Sequence, residues 1–133
     1  MHNDSLYRVS LKCLIKNDDG ELLLVKEAGR DFWDLPGGGM DHGENIDAAI
    51  ARELLEEVGY VGDFTYKVIG LDEPIQLLSR EVWQLRIILD VAPKERNFSV
   101  GVDADEIQFM NPAIFKDAER IQERKIYEYA ELA

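Results

Sequence analysis

The segment NIDAAIARELLEEVG, residues 45–59, constrains this chain more than any other stretch. Asn45 suits a helix N-cap and Gly59 a C′ position, so the sequence predicts a helix from residue 46 to about 58. Glu53, Glu56 and Glu57 fall in its last turns, where residues three and four apart share a face. Like charges at that spacing repel by roughly 0.2–0.5 kcal/mol per exposed pair, and the negative end of the helix dipole adds to this. With Glu53 at zero and about 100° per residue, Glu57 falls near 40° and Glu56 near 300°. Ile46, Ala49 and Ile50 fall at about 20°, 320° and 60°, so the acids continue an apolar stripe. Leu54, Val58, Ala51, Leu55 and Ala48 occupy much of the opposite side, which leaves little room for an ordinary polar face.

Three partly shielded carboxylates need counter-charge. Arg52 precedes Glu56 by four residues and supplies some of it. One arginine does not neutralise three glutamates, whereas an oxygen-bound hard cation, Mg²⁺ or Mn²⁺, does. The like-charge strain is expected at Glu56, so that Glu56→Gln should stabilise the metal-free protein.

A chain of 133 residues fits a single domain, 1–133, able to bury its own core. No apolar run is long enough to span a bilayer, and the opening MHNDSLYR lacks the apolar stretch of a secretory signal. Cys13 is the sole cysteine, which excludes an intrachain disulfide and a cysteine-rich zinc site. A cytoplasmic location is expected. The net charge of −12 argues against direct binding to a nucleic-acid backbone, which needs clustered Lys and Arg. It would also repel a phosphorylated small molecule unless a divalent cation intervened.

Strands are expected over 7–15 and 21–26, joined as a hairpin by the turn Asn17-Asp18-Asp19-Gly20. A short extended piece, 32–35, precedes Pro36, and Gly37-Gly38-Gly39 opens a loop to Gly43. Further strands are expected over 64–71, 82–91 and 107–110, with 93–102 a polar loop. Asn111-Pro112 starts a helix, and a terminal helix runs towards Tyr129 after a break near Asp117. This order suggests a mixed sheet with helices packed on it.

Read outwards, residues 38–60 hold Gly38, Glu44, Arg52, Glu53, Leu54, Glu56, Glu57, Gly59 and Tyr60 at fixed intervals. The pattern is Gly, five residues, Glu, seven residues, Arg-Glu, an aliphatic, any residue, Glu-Glu, any residue, Gly and a bulky apolar residue. It resembles the Nudix box, with every fixed position filled, and the chain is similar in length to the smaller, MutT-like members of the Nudix hydrolase family. The resemblance implies an α/β/α sandwich around a mixed β-sheet. It implies hydrolysis of a diphosphate linkage in a small-molecule nucleoside diphosphate derivative, with Mg²⁺ or Mn²⁺ as cofactor. By motif position Glu53, Glu56 and Glu57 would hold the metal, with a carbonyl of Gly37 or Gly38. Arg52 would orient a catalytic glutamate and Glu44 would support that network.

A carboxylate acting on water serves as general base. In the family this is a box glutamate, such as Glu53, or an acid from a later loop. Here Asp103, Asp105 and Glu106 are the later candidates, and Glu106 is preferred because it precedes the strand expected at Ile107. Arg8, Lys26 and Arg30 are cations within reach of a phosphate near the hairpin. Phe32 and Trp33 can stack on a base or pack at the rim, and His42 and His2 carry no assigned role. Subgroup markers outside the box do not select a substrate, and oligomeric state is not readable. Two other readings are a catalytically silent Nudix-fold nucleotide-binding or regulatory domain, and an unrelated acidic cation binder. The intact acidic trio argues against the first, and Gly38, Glu44 and Gly59 in register argue against the second.

Overall fold

Leu11, Cys13 and Ile15 alternate along one stretch, and Leu89 and Val91 along another; all are buried. Such alternation gives each strand one apolar face for a helix to cover. The computed structural model describes residues 5–77 and 81–133, so His2 lies outside the described residues. The elements are β1 (Tyr7–Leu14), β2 (Leu22–Glu27), β3 (Gly37–Gly39), α1 (Ile46–Val58), β4 (Phe64–Leu77), β5 (Val82–Pro93) and β6 (Ala104–Met110). A 3₁₀ turn (Pro112–Phe115) and α2 (Ile121–Ala130) follow, separated near Asp117 as expected. One sheet has the order β3-β1-β5-β4, with β1 and β5 parallel and the other pairs antiparallel. β2 and β6 form a second, antiparallel pair.

Two apolar clusters set the layers. Ala49, Ile50, Leu54 and Val58 of α1 pack with Leu11, Cys13, Leu89 and Val91. Ile126 and Tyr129 of α2 pack with Leu14, Ile88 and Leu35. The mixed sheet therefore lies between two helices, the α/β/α sandwich that the resemblance implies.

The hairpin expectation needs correction. The turn closes, with Leu23 N donating to Ile15 O at 2.9 Å, but the strands then part into different sheets. Residues 22–25, Leu-Leu-Leu-Val, are buried on both faces. Leu23 joins the α1 cluster while Leu22 and Leu24 join the α2 cluster, so β2 must run between layers. The three glycines expected to open a loop instead form β3, paired with β1. A Cβ at Gly37 would lie 2.0 Å from Leu11 O, and its φ is +144°. Close backbone approach, not strand propensity, places a strand there.

Gly37→Ala should therefore lose about 2–4 kcal/mol of stability, because backbone atoms cannot yield to the new methyl. Gly43→Ala, at φ +86° with open space around it, should lose only about 1–2 kcal/mol. Urea unfolding of the two variants checks the contrast. Equal losses would show that the Leu11 contact does not matter.

Candidate active site

Helix α1 starts where Asn45 Oδ1 accepts from Ala48 N at 2.8 Å and ends at Gly59, whose φ is +62°. On its stripe Glu53 and Glu57 are 7% and 3% exposed, nearly as buried as Ala49, Ile50, Leu54 and Val58. Glu56 is more open, its side chain 32% exposed. The opposite side is not wholly covered, since Ala48, Ala51 and Leu55 face solvent.

The C-terminal carbonyls of α1 are satisfied by the loop at 99–103. Ser99 N donates to Val58 O at 2.9 Å, Gly101 N to Glu57 O at 3.0 Å and Asp103 N to Glu56 O at 2.8 Å. These donors satisfy the helix's orphan acceptors and blunt its negative end beneath the acids. A Cβ on Gly101 would meet Glu56 O at 2.2 Å, so the loop seats there only with glycine. The same contact delivers Asp103 to the acidic stripe.

Arg52 organises the site. Its Nε donates to Glu44 Oε2 at 2.7 Å and its Nη2 to Glu44 Oε1 at 2.9 Å, a bidentate fork. Nη1 donates to Glu53 Oε1 at 3.0 Å and to Glu56 Oε2 at 3.4 Å, and Nη2 also reaches Gly39 O at 3.1 Å. The guanidinium and the Asp41 N–H hold the Glu44 carboxyl down to about 2. Burial pushes the Glu53 carboxyl up, opposed by Arg52. Burial likewise raises Glu57, with Glu53 and Glu27 adding to the rise and the Gly37 N–H, 2.7 Å from Glu57 Oε1, opposing it. The buried Cys13 thiol is pushed up to about 12, by burial first and then by Glu57 and Glu53, so it stays protonated.

These groups line a cleft of about 340 Å³. Among the described residues its carboxylates are Glu27, Glu53, Glu56, Glu57 and Asp103, and Arg30 is its one lining cation. Gly37 and Gly38 form another wall, and a Cβ on Gly38 would lie 2.7 Å from Glu53 Oε1. Glu106 is not brought in. It lies within β6 opposite Lys26 and pairs with Lys26 Nζ at 3.3 Å, its side chain 59% exposed. Asp103, of the three later candidates, is the one that lines the cleft. Sequence reasoning missed Glu27, which follows a register shift between Lys26 and Glu27. Such bulges re-aim side chains, and none is visible in a string of letters. His42 is exposed in its loop, Trp33 lies beneath Lys26 Nζ (4.8 Å) and Phe32 lies between Arg30 and Arg120.

Among the described residues, no three carboxylate, imidazole or thiolate groups converge on one point as they stand. Glu57 is turned to the Gly37 N–H, and Arg52 Nη1 engages Glu53 and Glu56 together. Buried acids with one shared guanidinium nonetheless form the all-oxygen donor set that a hard cation takes. Among the described residues no helix is long and apolar enough to cross a membrane.

A family model described as the NUDIX domain matches residues 6–130. The chain is similar to a putative 8-oxo-dGTP diphosphatase of Bacillus subtilis (strain 168), 38% identical over 63 residues, which cover 47% of this chain and 42% of that protein. It is similar to an RNA pyrophosphohydrolase of Ruthia magnifica, 45% identical over 117 residues, covering 75% of this chain and 65% of that protein. The match thus spans less than half of the first relative's length and just under two thirds of the second's. A solved MutT protein from Methanosarcina mazei Go1 has the same fold, with a TM-score of 0.76 at 23% identity, covering 98% of this chain and 96% of that one. The family match runs from before β1 to the end of α2 and takes in the whole of the motif held by Arg52. The chain belongs to the Nudix hydrolase family.

Proposed function

We propose that the chain is a metal-dependent hydrolase of a diphosphate linkage in a nucleoside diphosphate derivative, of nucleoside triphosphate or nucleotide-sugar type. The observation that carries this reading is the burial of Glu53 and Glu57 on an open, five-carboxylate cleft. Uncompensated buried acids are a liability unless a cation is to be held there. Glu53, Glu56 and Glu57 would hold Mg²⁺ or Mn²⁺, with the Gly38 carbonyl; Glu56, the most open of the three, lines the cleft while engaged by Arg52. Such a cation supplies charge neutralisation for diphosphate oxygens and lowers the pKa of a bound water. Glu53, held by Arg52, would act as the general base on the attacking water, and Glu44 would hold Arg52 in place for that role. Glu106, paired with Lys26 outside the cleft, has no part in this scheme.

Three outcomes test it. Hydrolysis of at least one nucleoside triphosphate or nucleotide sugar should require Mg²⁺ or Mn²⁺, and activity that persists in excess EDTA would refute the metal role. Arg52→Ala should lower kcat by about 100-fold while weakening Mg²⁺ affinity by less than about 10-fold, because it orients a ligand without being one. Steady-state kinetics and metal titration on the same variant decide this; equal losses in both would make Arg52 merely structural.

The third concerns stability without metal. Burial raises Glu57 from 4.5 to about 9, so the folded state holds this proton more tightly than the unfolded chain does. Stability is then full below the unfolded value and is lost as pH rises from about 4.5 to about 9. In EDTA, Glu57→Gln should be more stable than wild type by about 1–2 kcal/mol at pH 8, with little gain at pH 5. Glu56→Gln should gain nothing and lose up to about 1 kcal/mol, since Glu56 is paired with Arg52. This moves the strain from Glu56, where the spacing places it, to the buried Glu57. Thermal melts at the two pH values, with and without Mg²⁺, read the difference. A Glu57→Gln variant that melts below wild type at pH 8 in EDTA would show that protein partners already balance this charge.

A further inference from the structure

Beside the acidic cleft, and sharing Glu27, Arg30 and Gly38 with it, lies a second cavity of about 430 Å³ with the opposite character. Its floor is a polar face of the central sheet. β1 contributes Arg8, Ser10 and Lys12, and β5 contributes Gln84 and Arg86, at alternate positions on two parallel neighbours. The register sets Arg8 beside Gln84 and Ser10 beside Arg86. Ser10, Lys12 and Gln84 are 3%, 7% and 7% exposed. Farther along the same strands, Leu14 and Ile88 are packed under α2. A sandwich ordinarily gives a central sheet face apolar residues to bury. This stretch is buried and polar, which is how a ligand site is built.

Its charge indicates what it takes. Among the described residues four cations, Arg8, Lys12, Arg30 and Arg86, face two acids, Glu27 and Asp34, leaving two positive charges in excess on a chain whose net charge is −12. Lys12 is paired with Asp34 at 2.8 Å and Arg30 with Glu27 at 3.2 Å. Among the described residues Arg8 and Arg86 have no carboxylate within 4.0 Å. Among the described residues Arg86 Nε is buried without a partner, and Arg86 Nη1 donates only to the Tyr129 hydroxyl, at 3.3 Å. Asp72, its cross-strand neighbour on β4, is taken by the Tyr129 hydroxyl and by Lys125 at 2.9 Å, so it leaves Arg86 unneutralised. The Arg8 guanidinium lies over Gly39, where a Cβ would be 2.0 Å from Nη2. Among the described residues no aromatic side chain lines the cavity to stack on a base.

We propose that this pocket holds a phosphate of the substrate beyond the cleaved diphosphate, with Arg8 and Arg86 as its ligands, so that the enzyme selects nucleoside triphosphates over nucleotide sugars. The proposal rests on the hydrolase reading above and adds the chemistry of the substrate's far end. The two arginines read charge where a neutral sugar offers none, and charge-assisted hydrogen bonds are the strong ones.

The test compares matched pairs in Mg²⁺: each common nucleoside as its 5′-triphosphate and as its diphosphate sugar. Wild type should favour the triphosphate in kcat/KM by at least about 10-fold, and Arg8→Ala and Arg86→Ala should each cut that ratio by about 10- to 100-fold. Gly39→Ala keeps every charge but displaces the flexible end of Arg8, and should cut the ratio in the same direction. It also serves if Arg86→Ala fails to fold. A ratio near one in wild type, or one that Arg8→Ala and Gly39→Ala leave unchanged, overturns the proposal while leaving the hydrolase reading intact. If no pair is hydrolysed, that reading fails, and the pocket is judged by binding alone. Calorimetry with inorganic tripolyphosphate in EDTA should then show binding that Arg8→Ala weakens at least about 10-fold, and equal binding by the variant overturns the proposal.

Discussion

The guanidinium of Arg52 is the contact on which the site depends. It forks onto both oxygens of Glu44, engages Glu53 and Glu56, and reaches the carbonyl of Gly39. One side chain on α1 therefore fixes the loop before the helix, two acids on it and the end of β3. A lysine cannot do this, because an ammonium offers a point charge instead of a planar fork. The seven residues between Glu44 and Arg52 have a physical meaning. They carry the chain through the N-cap and the first turns of α1, so that a carboxylate before the helix and a guanidinium on it meet at 2.7 Å.

The helix and its caps were readable because their signals are local. Asn45, Gly59 and the stripe of Ile46, Ala49 and Ile50 place two of the three acids under cover without any knowledge of the rest. Spacing did not reveal which acid bears the strain, since that depends on burial from above. Glu57 lies against β3 and Glu56 does not, although both follow Glu53 at helical intervals. The hairpin misled for a related reason. A good turn fixes only the base of a strand pair, and β2, apolar on both faces, is claimed by two layers. Glu27 and the polar floor of β1 and β5 were hidden, and Asp103 was not singled out from Asp105 and Glu106, because each depends on tertiary placement: a bulge, a parallel register across distant segments, and a loop seated on helix carbonyls.

Placing an acidic cleft against a cationic pocket resolves an apparent conflict in the composition. An acidic chain should repel a phosphorylated ligand at a distance. The field that matters to a bound ligand is local, however, and falls off within about 10 Å in ordinary salt. Arg30 lines both cavities and pairs with Glu27, which also lines both, so the two fields meet at one ion pair. A ligand lying across that pair would meet acids, and any cation they hold, on one side and, on the other, arginines with no carboxylate partner among the described residues.

Such a boundary has a stability cost, and the architecture shows where it is offset. Glu53 and Glu57 are buried at one wall of β3 while Lys12 and Ser10 are buried at the adjoining face of β1. A stability-driven sequence would fill both places with aliphatic side chains. The apolar packing is instead concentrated elsewhere: Leu54 and Val58 on the buried side of α1, and Leu14, Ile88 and Ile126 beyond the polar floor. Each strand of the central pair thus changes character along its own length. On the face towards α2, β1 runs from Arg8, Ser10 and Lys12 to Leu14, and β5 from Gln84 and Arg86 to Ile88. Period-two alternation says which residues share a face; it does not say where along that face the core stops and the ligand site begins. In this chain α2 sets that point, by covering the last residues of the face and leaving the earlier ones to the pocket.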